Sequence, residues 1–187
     1  MVYVPFGACG VSINIHGLDE AELFIKKLGT TTKTMLSDSL NKLAINTQKT
    51  AVNDITKELN LTKTFVDQKI DIEKSSSKRL VAKIRSRKRG SSLANYGAIA
   101  LYTGKKRSAG VSVKVKDSRK KLKKAFMFRG KGGNRLVAVR TGRSKKDIKV
   151  LYGPSTSQAL NTFSDSLEKK AFTDFDVIFN QELDRFI

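Results

Sequence analysis

The sequence predicts an α+β fold: long N-terminal helices and a C-terminal helix packed on a mainly antiparallel sheet of about four or five strands. Three observations lead there. Apolar residues recur every three or four positions from about Thr31 to Leu59, and do so again from Leu160 to Phe186, which is the period of an amphipathic helix. The stretch between is made of short β-prone runs separated by glycines and basic turns. Helical and strand patterns are segregated along the chain, as expected of helices laid against one region of antiparallel structure.

Taken in order, Val11-Ser12-Ile13-Asn14-Ile15 alternates apolar and polar residues and predicts a short half-buried strand. Asp19 opens a helical run through Leu23, Phe24 and Leu28, with Asp19, Glu20 and Glu22 suited to the positive end of a helix; Gly29 ends or interrupts it. Met35/Leu36, Leu40, Leu43, Thr47, Ala51, Ile55 and Leu59 then form one apolar stripe along a long helix. Leu61-Thr62 starts a shorter helix through Phe65, Val66 and Ile70 that ends near Asp71. Strands are predicted around Leu80 to Arg85, Ala98 to Tyr102, Val111 to Val115, Ala125 to Phe128, Leu136 to Val139 and Ile148 to Tyr152, with a hairpin turn at Arg129 to Asn134. Arg85 to Gly97 and Tyr102 to Gly110 are basic and rich in Gly or Ser, and read as mobile loops. After Gly153-Pro154 the helical period holds to the C-terminus. The expected organisation is a single domain over 1–187: a strand and helical arm over 1–72, a basic sheet over 73–153, and a helix over 154–187.

Charge is distributed unevenly along this order. Lys74 to Val150 contains 26 of the 37 Lys and Arg residues and two acids, Asp117 and Asp147, a local charge of +24, whereas the flanks carry 11 basic and 15 acidic residues. A field of that size attracts polyanions and repels copies of itself unless something negative lies nearby, so nucleic acid is the first partner to consider. The basic residues cluster at Lys78-Arg79, Arg85 with Arg87-Lys88-Arg89, Lys105-Lys106-Arg107, Arg119-Lys120-Lys121 with Lys123-Lys124, and Arg143 with Lys145-Lys146. Candidate phosphate contacts are therefore Arg79, Arg85, Arg87, Lys88, Arg89, Lys105, Lys106, Arg107, Lys120, Lys121, Arg143, Lys145 and Lys146. The chain shows no helix-turn-helix signature, zinc module or aromatic RNA-binding signature, so phosphate contact without base reading is the expected use. The alternative is an acidic surface on a neighbouring subunit, for which Asp174, Asp176, Glu182 and Asp184 are available.

Several chemistries find no support. The single cysteine, Cys9, rules out an intramolecular disulfide, and with the single histidine, His16, it makes no Cys/His metal cluster within one chain. Synthesis in a reducing cytoplasm fits this usage. The first 18 residues lack a basic region and a sustained apolar run, and no stretch approaches the length of a membrane span, so neither a secreted nor a transmembrane protein is expected. Asp174, Asp176, Glu182 and Asp184 invite comparison with a metal-dependent nuclease, but acids between the apolar positions of an amphipathic helix ordinarily form its wet face. Gly130, Gly132 and Gly133 lack the Gly-Lys-Ser/Thr ending and following helix of a phosphate cradle, and no Gly-x-Ser-x-Gly elbow is present. The expectation is a protein that is not an enzyme and holds no metal or cofactor.

Leu43-Ala44-Ile45-Asn46-Thr47 with Ala51 on the long helix, and Leu151-Tyr152-Gly153-Pro154-Ser155 after the last strand, resemble two motifs of the phage minor tail protein Z family. Ile70-Asp71-Ile72, Lys124-Ala125-Phe126 and Arg140-Thr141-Gly142-Arg143 are similar to that family's middle section, so the resemblance runs from about Leu18 to Leu160. It implies a tail-completion protein of the virion, at the head-proximal end of a phage tail, in a ring around the DNA path that is usually a hexamer. Implied partners are further copies of the chain, tail terminator, tail tube or head-tail connector proteins, and genomic double-stranded DNA in the lumen, with no membrane. The basic loops at Arg85 to Arg89 and Lys105 to Arg107 match no family motif, so DNA contact rests on the charge of this sequence. The alternative reading is a non-specific nucleic-acid-binding protein. For Gly153 and Pro154 a strand-to-helix corner is reason enough: glycine turns the chain, proline pre-sets φ, and Ser155 or Thr156 caps exposed amides.

Overall fold

The computed structural model describes residues 11–14, 29–103, 107–144 and 146–186. The long helix forms as the apolar period requires. Helix α1 spans Thr30–Glu58 and buries Met35, Leu40, Leu43, Thr47, Ala51 and Ile55 on one side, with Leu59 buried just beyond its end. Gly29 is its N-cap, in extended conformation with φ −63° and ψ 166°. The run from Asp19 to Leu28 lies outside the described residues. A five-residue helix, α2, spans Lys63–Asp67, and the long C-terminal helix, α3, spans Thr156–Phe186.

Helices α1 and α3 pack antiparallel. Ile55 and Leu59 of the α1 end meet Leu160 and Leu167 early in α3, while Leu43 meets Ala171 and Ile178 further along it. Lys42 donates to Glu182 at the far end of the pair. Each leucine or isoleucine fully buried in this way contributes about 1.5–3 kcal/mol.

Nine strands among the described residues form three antiparallel three-stranded sheets, where the sequence predicts one sheet of about four or five. The first holds β1 (Val11–Asn14), β2 (Ile70–Glu73) and β3 (Lys83–Ser86) in the order β1-β3-β2. Ile84 stands opposite both Ile13 and Ile72 in it. Ile70 therefore starts a strand and does not continue the short helix, because pairing with β3 outweighs the local helical spacing from Phe65.

The second sheet is β4 (Ile99–Thr103), β5 (Arg107–Lys114) and β6 (Arg119–Leu122), in that order. Gly110 sits at φ 115° beside the shift in register between β4 and β5, a conformation that side chains other than hydrogen strain against. The third sheet is β7 (Ala125–Arg129), β8 (Arg135–Arg140) and β9 (Ile148–Val150). The expected Arg129–Asn134 turn closes the β7–β8 hairpin, with the Gly130 amide donating to the Asn134 carbonyl at 2.9 Å and Gly133 at φ 77°.

Val111 and Val113 of β5 pack against Ala125 and Val137 of the third sheet to make a second core. Leu93 touches this core and the helical one alike. It belongs to a 3₁₀ turn, Leu93–Asn95, inside the stretch read from sequence as a mobile loop. Tyr96, the aromatic of that polar stretch, is fully buried and anchors it. The second such loop is largely the β4–β5 hairpin, with residues 104–106 outside the described residues.

Candidate polyanion-binding surface

The basic residues fall into three structural situations. Arg79 and Arg85 are engaged within the chain: Arg79 donates from Nη1 to Glu73 Oε1 at 2.7 Å, and Arg85 Nη2 lies 2.8 Å from Glu73 Oε2. The Arg79 hydrogen bond, with Arg85 adding to the field, holds the Glu73 carboxyl below its usual range. One carboxylate thus offsets part of the charge of two arginines and fastens the β2–β3 hairpin. Lys116 is likewise paired with Glu58 at the end of α1.

A second group rides on exposed strands and turns. Arg87, Lys88 and Arg89 leave β3 along the surface, and the Arg89 guanidinium lies 6.0 Å from the Tyr152 ring centre, within cation–π reach. Lys120 and Lys121 sit on β6 opposite Val113 and Ser112, so they point to opposite faces of that sheet. Arg143 and Lys146 flank the β8–β9 turn, where Asp147 Oδ2 accepts from the Ser144 amide at 3.1 Å and Ser144 Oγ accepts from the Lys146 amide at 3.2 Å. Among the described residues no carboxylate lies within ion-pair distance of Arg87, Lys88, Arg89, Lys120, Lys121, Arg143 or Lys146.

The third group is the β4–β5 tip. Arg107 begins β5 opposite Thr103; Lys105 and Lys106, like Lys145 of the β8–β9 turn, lie outside the described residues. Lys123 and Lys124 of the predicted clusters are exposed between β6 and β7, and the third sheet adds exposed basic residues outside the predicted set: Arg129, Lys131, Arg135, Arg140 and Lys149. Strand alternation was their signal, since each is interleaved with the apolar residues of β7, β8 or β9 or borders them.

The acids of α3 are not gathered at one point. Glu182 is buried, and Lys42 with help from Arg185 holds its carboxyl below the usual range. Asp176 and Asp184 are exposed on the helix and Asp174 is half-buried. Among the described residues no group of three or more His, Cys, Asp or Glu side chains is placed to hold a metal ion.

The Leu151 to Ser155 segment is a packed corner. Leu151 donates to the Val137 carbonyl at 2.8 Å and Gly153 to the Ser91 carbonyl at 2.8 Å. A Cβ on Gly153 would lie 2.7 Å from Tyr96 Cε2, so glycine is required by close packing. Ser155 Oγ accepts from the Gln158 amide at 3.0 Å while Gln158 Oε1 accepts from the Ser155 amide at 2.9 Å, a reciprocal capping box that starts α3. Thr47 is buried on α1 and Asn46 exposed beside it; these motif residues build the fold.

The family described as prophage minor tail protein Z matches residues 15–186. The chain belongs to this family. It is a phage minor tail protein, a structural component of the virion, and the resemblance seen in its two motifs is thereby confirmed over nearly the whole length. Comparison with curated proteins and with solved structures returned no match. Among the described residues no helix of this minor tail protein is long and apolar enough to cross a membrane.

Proposed function

We propose that this minor tail protein completes the tail as a subunit of a neck ring at its head-proximal end, with basic turns facing the DNA path or an acidic partner ring. The carrying observation is the surplus of exposed cations on the β3 run-out, β6 and the turns of the third sheet, with no carboxylate in ion-pair distance among the described residues. A conduit for duplex DNA needs many weak phosphate contacts, because tight base-specific binding would hold back a moving genome. Turns with lysine and arginine spread over several elements meet that need. The assignment treats the chain as a single domain, supported by Leu93 packing against both cores. Implied partners are further copies in a hexameric ring, the tail terminator, tail tube or connector, and double-stranded DNA, after assembly in the host cytoplasm.

Native mass spectrometry at near-physiological salt, with and without a short duplex, tests this. A closed oligomer of fixed stoichiometry is the expected result. A monomer binding duplex in graded, salt-sensitive numbers would replace the ring with a non-specific nucleic-acid-binding role.

A further inference from the structure

The second core opens to solvent beside β4 and β7. Val111 and Val137 are fully buried in it, while Ala98 and Met127 pack against it half-buried. Ala100 stands opposite Val111, so it shares the core face of its sheet. On β7, strand alternation carries the core face from Ala125 through Met127 to Arg129, and Arg135 of β8 stands directly opposite Arg129. Two arginines therefore occupy the places where the next pair of core residues would stand. With Ala98, Ala100, Met127 and Tyr102 they line an open groove of about 470 Å³, within the range of ligand-binding clefts. Tyr102 is 67% exposed at its side.

Like charges directly opposite each other on neighbouring strands oppose the pairing. Among the described residues no carboxylate lies within ion-pair distance of either guanidinium to relieve this. Lys131, exposed in the turn that joins β7 to β8, adds a third positive charge nearby. The arrangement calls for an anion from outside the chain, and a guanidinium fork grips a carboxylate or a phosphate through two parallel N–H bonds.

The rest of the groove separates those two anions. Duplex DNA offers phosphates on a polar, convex backbone and leaves Ala98, Ala100, Met127 and the Tyr102 ring without a partner. An acidic protein segment offers carboxylates with apolar side chains between them, and arginine, tyrosine and methionine together are the residues in which protein–protein contacts are enriched. We infer that this groove receives an acidic segment of a partner protein, an apolar side chain resting on Ala98, Ala100 and Met127 while its carboxylates meet Arg129 and Arg135. The inference deepens the reading above, on which it rests for an acidic neighbour in the assembly, and gives the β7–β8 hairpin to that neighbour instead of to DNA.

The test measures binding of two labelled synthetic peptides to the full chain by fluorescence anisotropy. One is Glu-Leu-Glu-Phe-Glu, and the other has Ser in place of Leu and Phe. The proteins are wild type and the double variant Arg129→Gln with Arg135→Gln, whose exposed positions leave the urea midpoint unchanged. Wild type is expected to bind the apolar-acidic peptide, and affinity to fall at least about tenfold both in the double variant and with the serine peptide. No binding of the first peptide by wild type up to about 1 mM overturns the inference. Equal affinity for the two peptides also overturns it, because the apolar walls then take no part. A double variant that keeps its peptide affinity while its salt slope for a short duplex falls by about 1.8 gives the two arginines to DNA and overturns it as well. The oligomer is read separately by native mass spectrometry. A closed ring that ignores the peptide removes the groove and keeps the ring, whereas a monomer that binds the peptide through both arginines keeps the groove and removes the ring.

Discussion

Tyr96 donates from its hydroxyl to the carbonyl of Pro154 at 2.5 Å, so the end of a 3₁₀ turn is tied to the corner that starts the last helix. The ring is fully buried in the helical core, and Gly153 packs against it. Burial also pushes the phenol pKa up from its ordinary 10.0, as expected when water is withdrawn from the charged form. Tyr96→Phe keeps the shape and removes the donor. It is expected to cost about 0.5–1.5 kcal/mol in urea unfolding, the net contribution of a hydrogen bond whose acceptor is partly buried.

Gly153→Ala probes the same corner from the other side. The added Cβ meets Tyr96 Cε2 at 2.7 Å and Leu93 Cδ2 at 3.2 Å, and neither ring nor leucine has free room to move in a packed core. The expected loss is about 1–3 kcal/mol, again read as a lower urea midpoint. Equal stability of the two proteins would show that the corner opens easily and that its motif is not held by packing.

The Lys42–Glu182 pair fastens the far ends of α1 and α3 and makes stability depend on acid pH. Glu182 has a folded pKa below its ordinary 4.5, chiefly through the Lys42 hydrogen bond. A depressed carboxylate stabilises the fold fully above its unfolded pKa, and that contribution is lost as pH falls through the folded value. Unfolding midpoints are therefore expected to decline below pH about 4.5. The decline should be shallower in Glu182→Gln, which has no proton to take up there. Identical pH profiles would assign the acid sensitivity to other carboxylates, Glu73 first.

The helices were legible in the sequence because a stripe from Met35 to Leu59 has one solution, a helix with that side inward. The sheets were less so. Arg119 to Leu122 reads as a run of cations, yet it is strand β6 because Val111 to Lys114 pair with it; a strand three residues basic has no local signature. Ile70 read as a helix end for the converse reason, its spacing from Phe65 being local and its partner, Ser86, sixteen residues away. The candidate surface was legible as charge and not as pairing. Glu73 lies one residue before the basic segment, and only the β2–β3 hairpin brings it to Arg79 and Arg85.

That pairing sharpens the choice of residues for testing contact with DNA. Reversing Arg85 would place an acid beside Glu73 and disturb the hairpin, so its effect would mix folding with binding. Arg87, Lys88 and Arg89 are exposed, and none has a carboxylate partner among the described residues. Each phosphate neutralised contributes about 0.9 to the slope of log affinity against log salt. The triple reversal to Glu is therefore expected to reduce the magnitude of that slope by about 2.7 when all three cations touch phosphate. The urea midpoint should stay at the wild-type value. Binding measured by fluorescence anisotropy on a labelled duplex over several salt concentrations gives the slope directly. Particles carrying the same reversals are expected to retain or pass DNA poorly. A slope and an infectivity both equal to wild type would overturn the proposal that these basic turns face DNA in a lumen.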